Sequence, residues 1–359
     1  MTNLNYPLVK TVRILLLPLS LVYAVIIFCR NWLFDKNILR TSSFNLPVIC
    51  IGNLSVGGTG KSPMVEFLVN KLQHRFRLAV LSRGYKRKTR GYALVTPQST
   101  ALEVGDEPMQ FFNKFPAITV AVGEERVVAI PQLLHDKPDT RVILLDDAFQ
   151  HRWVKAGFNI LLTDYNNLFT RDWFLPTGDL RDQPKSAKRA NIIVVTKCPP
   201  DLSLSEKSQL AREISPAASQ NIFFSSISYG TPYQLVTRES WQPGRETEVL
   251  LVTGIANPGP LKKYLEEKFN GYDELAYSDH HIFTIDDLNY ILKKFNQIQA
   301  ASKILLTTEK DAVRLQKFSQ ELTDVPFYVM PIQPVILFHE ENQFTQFITT
   351  FIQGFADSK

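Results

Sequence analysis

Between Ile51 and Ser62 the chain reads Ile-Gly-Asn-Leu-Ser-Val-Gly-Gly-Thr-Gly-Lys-Ser, after an apolar run and before the helical pattern of Met64, Phe67, Leu68 and Leu72. A turn this rich in glycine can aim successive N–H groups inward, because glycine takes positive φ and lets an oxyanion approach the backbone. A helix starting at Lys61 adds its positive end, Lys61 can reach the β- and γ-phosphates of a nucleotide, and Ser62 can ligate Mg2+. The run therefore predicts a phosphate-binding loop made by Ser55, Val56, Gly57, Gly58, Thr59, Gly60, Lys61 and Ser62. It departs from G-x-x-x-x-G-K-[ST] at the first position, where Ser55 stands for glycine. Pro63 costs little, since an N–H in the first helical turn has no intrahelical partner.

Such a loop needs a carboxylate at the end of a neighbouring strand to hold the metal, directly or through water. Val142-Ile143-Leu144-Leu145 followed by Asp146 and Asp147 supplies one, so both aspartates are expected at the metal site. Two further clusters could serve an acceptor hydroxyl. Gly105-Asp106-Glu107-Pro108 opens a helical pattern, and Ser278-Asp279-His280-His281 follows an apolar run far along the chain. Each by itself also reads as a solvated helix start; together, an Asp and a His meeting across a cleft could position and deprotonate a hydroxyl. The basic stretch from Arg83 to Arg90 is equally readable as a receiver of an anionic substrate or as a solvated charge run.

These groups need a scaffold, and the pattern after Leu46 provides it. Apolar runs of strand length alternate with helical patterns, which predicts an α/β fold: a P-loop NTPase-like core with a mainly parallel sheet, joined to a second, smaller α/β domain. The expected strands are 47–52, 78–81, 118–122, 142–145, 159–163 and 192–196, then 249–253, 303–307 and 325–330. Residues 226–246 lack helical periodicity and hold Gly230, Pro232, Pro243 and Gly244, so they are expected to link a 41–225 core to a 247–359 domain. Thr284 and Asp287 form a capping-box pattern for a helix carrying Leu288, Ile291, Leu292 and Phe295 on one face.

A chain of 359 residues with 45% apolar and 21% charged residues is globular and long enough for about two cores without disulfides or structural metal. Cys29, Cys50 and Cys198 are too scattered for a disulfide framework and are expected as buried, inert thiols in a reducing compartment. The net charge of +5 could favour an anionic membrane or a phosphorylated ligand. No nucleic-acid signature accompanies it, and no obligate protein partner is indicated. Residues 1–40 are expected to attach to a membrane. Ile14 to Cys29 carries no charge, but as a helix it rises only about 24 Å, short of a hydrocarbon core unless Lys10, Arg13 and Arg30 snorkel. At 100° per residue Arg13, Ser20, Tyr23, Arg30 and Asn31 gather on one side and Leu15, Val22, Ile26 and Cys29 on the other, as in a helix lying in the interface. A helix packed on the protein's own body is the alternative. No small-x-small cleavage site follows, so export is not expected.

In their joint order the motifs resemble the bacterial tetraacyldisaccharide 4′-kinase, or lipid A 4′-kinase, family. The resemblance runs through Gly52 to Pro63, Ser82-Arg83-Gly84-Tyr85, Gly105 to Pro108, Leu145 to His151, Thr253 to Pro258, Asp279-His280-His281 and Thr307 to Asp311. It implies transfer of the γ-phosphate of ATP, with Mg2+, to the 4′-hydroxyl of an acylated glucosamine disaccharide lipid at the cytoplasmic face of the inner membrane. It further implies that Lys61 steadies the transferring phosphoryl group, that Ser62 and Asp146 bind Mg2+ with Asp147 nearby, and that Asp106 acts as base with His280. Tyr85, Glu107 and Arg181 match positions implied to line the cleft and bind substrate. Asp182 stands where the family often has glutamate. The rival reading is a membrane-recruited ATPase of the deviant P-loop class, but that class's signature lysine is replaced here by Val56.

Overall fold

The computed structural model describes residues 13–357; Lys10 lies outside them. The described residues open with a 3-10 turn at Ile14–Leu16 and helix α1 (Leu17–Asp35). The first unit then alternates: β1 (Val48–Asn53), α2 (Lys61–Leu72), β2 (Leu78–Ser82), β3 (Ala93–Leu94), α3 (Asp106–Lys114), β4 (Thr119–Val122), α4 (Arg126–Asp136), β5 (Val142–Asp146), β6 (Phe158–Asp164), β7 (Ile192–Thr196), α5 (Leu204–Ile214) and β8 (Asn221–Tyr229). The second unit holds β9 (Tyr233–Gln234), β10 (Glu248–Thr253), α6 (Gly259–Lys268), β11 (Tyr272–Ala276), α7 (Ile285–Gln297), β12 (Lys303–Thr308), α8 (Glu309–Leu315) and β13 (Phe327–Met330). The chain ends with β14 (Ile332–Ile336) and α9 (Glu341–Asp357).

Two sheets result. One has nine strands in the order β14-β8-β7-β6-β1-β5-β2-β4-β3, the other five in the order β11-β10-β12-β13-β9. Parallel pairing runs from β8 to β4 in the first and from β11 to β13 in the second, with antiparallel strands confined to the edges. Strands buried on both faces explain the unbroken apolar runs: every residue of β1, β2, β5 and β7 is buried. All nine expected strands form. The expected cap also forms: Thr284 accepts the Asp287 N–H, and Leu288, Ile291 and Phe295 are buried.

The boundary expected at 247–359 is corrected at its far end. β14 pairs with β8 in the first sheet, and Phe344, Ile348 and Ile352 of α9 enter the first unit's core against Phe67 and Phe223. The expected linker 226–246 likewise begins inside β8 and contributes β9 to the second sheet. Chain order hides this, because the last 25 or so residues bury their apolar face on a sheet laid down far earlier. The two units are thus joined by two adjacent crossings, where Gly230 N–H donates to Pro331 O (3.0 Å).

Helix α1 keeps its polar stripe inward and its apolar stripe outward. Ser20 and Asn31 are 4% and 0% exposed, whereas Leu15 and Ile26 are 79% and 58% exposed. The polar stripe lies on the segment 171–189: Ser20 donates to Thr177 Oγ1 (2.7 Å), Tyr23 to Arg181 O (3.2 Å), Arg13 to Asp179 (3.0 Å) and Asn31 to Asp182 Oδ1 (2.7 Å). The helix therefore packs on the protein's body and still presents an apolar face. Together with its leading turn it is, among the described residues, the one helix long and apolar enough to cross a membrane. The cysteines divide accordingly. Burial pushes the thiols of Cys50 and Cys198 up to about 12, but Cys29 is exposed on the apolar face of α1, which corrects the expectation of three buried thiols.

Candidate active site

The loop between β1 and α2 has the geometry its glycines predict. Gly57 and Gly60 take φ of +101° and +81°, and Gly60 caps α2 from the left-handed region that a Cβ would penalise. Gly52 is needed for a close approach, since a Cβ there would lie 2.6 Å from Cβ of Phe149. The loop is held from three sides. Asn53 Nδ2 donates to Thr59 Oγ1 (2.8 Å), Thr196 Oγ1 to Thr59 O (2.9 Å), and the 171–189 segment accepts Val56 N–H at Asp179 O (2.7 Å) while Arg181 N–H donates to Leu54 O (2.8 Å). The segment that seats α1 thus also seats the loop.

β1 and β5 are neighbours, with Ile51 opposite Asp146, so the β5 aspartates emerge beside the loop. Asp146 is 1% exposed; Ser82 Oγ donates to its Oδ2 (3.0 Å), and its buried Oδ1 has no hydrogen-bond partner among the described residues. Burial, with Glu107 and Asp147 close by, pushes its carboxyl up to about 7 against the pull of Lys61. Asp147 sits in the left-handed region at φ +49°. Its carboxylate meets Arg181 and lies 3.8 Å from Lys61 Nζ. Burial opposes its charge, yet Lys61 and Arg181 hold it below the usual carboxylate range. Two adjacent aspartates are therefore split in character: one short of a cation, the other already paired.

On the other side of the loop, Ser62 Oγ donates to Glu107 Oε1 (3.0 Å). The neighbouring Asp106 opens α3 and faces the second unit, where Nδ1 of His280 lies 2.9 Å from its Oδ2 although the two residues are 174 apart in the chain. Arg314 on α8 donates to the same oxygen from Nε (3.0 Å) and Nη2 (2.6 Å). Burial raises the Asp106 pKa, but Arg314 and then His280 outweigh it and hold the carboxyl below its ordinary range. His280 has φ +62°, rests against the Tyr85 ring (5.8 Å between centroids) and has Lys310 Nζ 3.3 Å from its Nε2. His281 instead bonds Asp287 (3.0 Å) and stacks with Tyr277, which makes it part of the α7 cap.

The sequence-predicted residues fall into two groups that meet at Ser62 and Glu107. Lys61, Ser62, Asp146, Asp147 and Arg181 gather on the loop side, and Asp106, His280 and Tyr85 on the other. Arg181, expected to line the cleft, lies against Asn53 and Asp147, and Glu107, likewise expected there, lies against Ser62. Asp182 faces away from the site: it is fully buried and receives Asn31, Ser186 and Arg189. Arg87 of the basic stretch is tied to Glu124 (2.7 Å), so that member of the run is structural. Sequence reasoning missed Arg314 and Arg126. The latter is buried under β5 and donates to Gly123 O (2.6 Å) and Asp146 O (3.1 Å). Neither belongs to a motif; the nearest signal for Arg314 is its i,i+3 spacing from Asp311.

The sequence model of the family described as tetraacyldisaccharide-1-P 4′-kinase matches residues 12–353. A tetraacyldisaccharide 4′-kinase of Bacteroides thetaiotaomicron is 44% identical over 354 residues, covering 94% of this chain and 93% of its own. One of Flavobacterium johnsoniae is 46% identical over 332 residues, covering 92% and 94%. Among solved structures, LpxK from Aquifex aeolicus, crystallised in complex with ATP, is 27% identical with a TM-score of 0.75, covering 95% of this chain and 99% of that one. Likeness of this extent makes the chain a member of the tetraacyldisaccharide 4′-kinase family.

Proposed function

We propose that the chain transfers the γ-phosphate of ATP to the 4′-hydroxyl of a tetraacylated glucosamine disaccharide 1-phosphate, in lipid A biosynthesis, at the cytoplasmic face of the bacterial inner membrane. The observation that carries this reading is the adjacency on α3: Glu107 touches Ser62 of the phosphate loop while Asp106 touches His280. A nucleotide on the loop and a hydroxyl at Asp106 are then neighbours. Asp106 accepts the hydroxyl proton, the sugar oxygen bonds to the γ-phosphorus, and the bond to the β–γ bridging oxygen breaks to release ADP. Such a transition state demands mainly positioning and charge stabilisation, which Lys61 and the loop N–H groups supply. His280 orients Asp106 through Oδ2.

Mg2+ fits this site. Such a cation keeps several waters and leans on phosphates, so it asks for few protein ligands. The unpartnered Oδ1 of Asp146 and the Ser62 hydroxyl are the groups that would hold it. Bound there, it would neutralise charge on the phosphates. Asp147 stays with Lys61 and Arg181 as their counter-ion. The exposed apolar face of α1 would enter the membrane interface and keep the cleft near its lipid acceptor.

The test is mass spectrometry of the lipid after incubation of the protein with Mg-ATP and the acylated disaccharide. A gain of one phosphate on the distal sugar is expected. ATP hydrolysis that ignores the lipid, with no phosphorylated lipid, overturns the reading in favour of an ATPase.

A further inference from the structure

We propose that Arg314 is a positioning residue for the transfer, acting through Asp106; the inference rests on Asp106 being the base. The guanidinium is almost completely buried and is spent on named partners. Nε and Nη2 donate to Asp106 Oδ2, Nη1 donates to Asp311 Oδ1 (3.1 Å) and Gly254 O (3.3 Å), and Nη2 lies 3.1 Å from His280 Nδ1. Asp311 is in turn fixed by Gly254 N–H (3.0 Å) and Thr308 Oγ1 (2.8 Å). The fork is thus anchored in the second unit at the end of β10 and at the start of α8, and its free edge reaches across to α3 of the first.

The consequence lies in which oxygen it takes. Among the described residues every contact to the Asp106 carboxylate falls on Oδ2. Two nitrogens of one rigid plane fix that oxygen in direction as well as distance, which a lysine ammonium on a flexible stem cannot do. Oδ1 is left for the incoming hydroxyl. Arg314 touches neither the nucleotide loop nor Ser62, so its effect should pass through Asp106 and the His280 beside it. The charged groups facing Asp106 are Arg314 from α8 and His280 from the turn after β11. Behind them stand Asp311, Lys310 (3.3 Å from His280) and Asp279 (3.8 Å from His280), with Glu107 next on its own helix.

The experiment compares Arg314→Gln, Arg314→Lys and Asp106→Asn by steady-state kinetics across pH, with melting curves for each. Arg314→Gln is expected to lower kcat on the order of 10²-fold, as a displaced reacting group does, with KM for ATP within about twofold. The acid limb of its kcat profile should move to higher pH, because Asp106 loses the cation that favours its charged form. Arg314→Lys should recover part of kcat and return the limb toward its parental position. Should Arg314→Gln not fold, the Lys variant alone decides, by a reduced kcat at unchanged KM for ATP. A parental kcat, a rise in KM for ATP alone, or an acid limb that stays put overturns the proposal. Near-parental turnover in Asp106→Asn would instead overturn Asp106 as base.

Discussion

The loop half of the site and the half proposed to receive the acceptor are built on opposite plans. The loop and its metal-side groups come from two neighbouring strands of one sheet, β1 and β5, whose parallel register sets Ile51 beside Asp146. The proposed acceptor half joins Asp106 on α3 to His280 and Arg314 in the other unit, 174 and 208 residues away. The first half is fixed by local backbone geometry; the second exists only while the two units are closed on each other. Two thin crossings at Gly230 and Pro331 connect them, so their relative position depends on contacts such as the Lys114 bridge from α3 to Glu66 on α2 and Glu309 on α8 (2.6 Å each). Nucleotide binding should therefore be the more robust function and transfer the more fragile.

The sharpest break in that comparison comes from removing chemistry while sparing architecture. Lys61→Ala should lower kcat by about 10³-fold, the scale of a lost charge-stabilising group. Its ion pair to Asp147 is long, at 3.8 Å, so the melting midpoint should shift by no more than about 2 °C. Calorimetric melting beside a phosphate-transfer assay checks both; turnover near the parental rate would remove the loop from the reaction.

Next in size is a pH effect confined to the nucleotide half. Burial, Glu107 and Asp147 push the Asp146 carboxyl up to about 7, so below that pH it carries a proton that a metal must displace. Above it the carboxylate is ionised and ready. Mg-ATP affinity should thus fall as pH drops, by about tenfold between pH 8 and pH 6 for one proton released. Asp146→Asn should bind more weakly at pH 8 and lose the slope. Titration calorimetry in buffers of different ionisation enthalpy reads the proton directly, and an affinity independent of pH would separate Asp146 from the metal.

The same contrast explains what the sequence disclosed. The loop, the β5 aspartates and the nine expected strands of the fourteen are encoded locally, in apolar runs. The pairing of Asp106 with His280 rests on long-range closure, and composition or spacing offered it only as one of several options; resemblance of the whole motif order narrowed it. Arg314 carried no signal beyond its i,i+3 spacing from Asp311, because a buried arginine on a seven-residue helix reads as an exposed charge until its partners are known. The return of β14 and α9 to the first sheet was hidden for the same reason. The polar stripe of α1 was legible, since five residues at helical spacing gather on one side, but its inward direction was not. Amphipathicity states that two environments exist, not which of them is the protein.

Helix α1 supplies the finest test, because one face packs on the protein and the other is exposed. Asn31 donates to the fully buried Asp182, and the segment around Asp182 also holds Leu54 and Val56 of the phosphate loop. Asn31→Leu leaves that carboxylate one donor short, at a cost of about 1–3 kcal/mol, and should lower the melting midpoint by several degrees. Through the shared segment it should weaken Mg-ATP binding by about two- to threefold, on a scale set by small coupling energies. Ile26→Ser on the exposed face should leave both within error, since it removes no internal contact, while vesicle co-sedimentation falls about fivefold for roughly 1 kcal/mol of lost apolar contact. Equal effects of the two substitutions on nucleotide affinity would mean that α1 supports the loop as a whole body. A difference would mean that its polar stripe alone carries the support, and that the face turned outward is reserved for lipid.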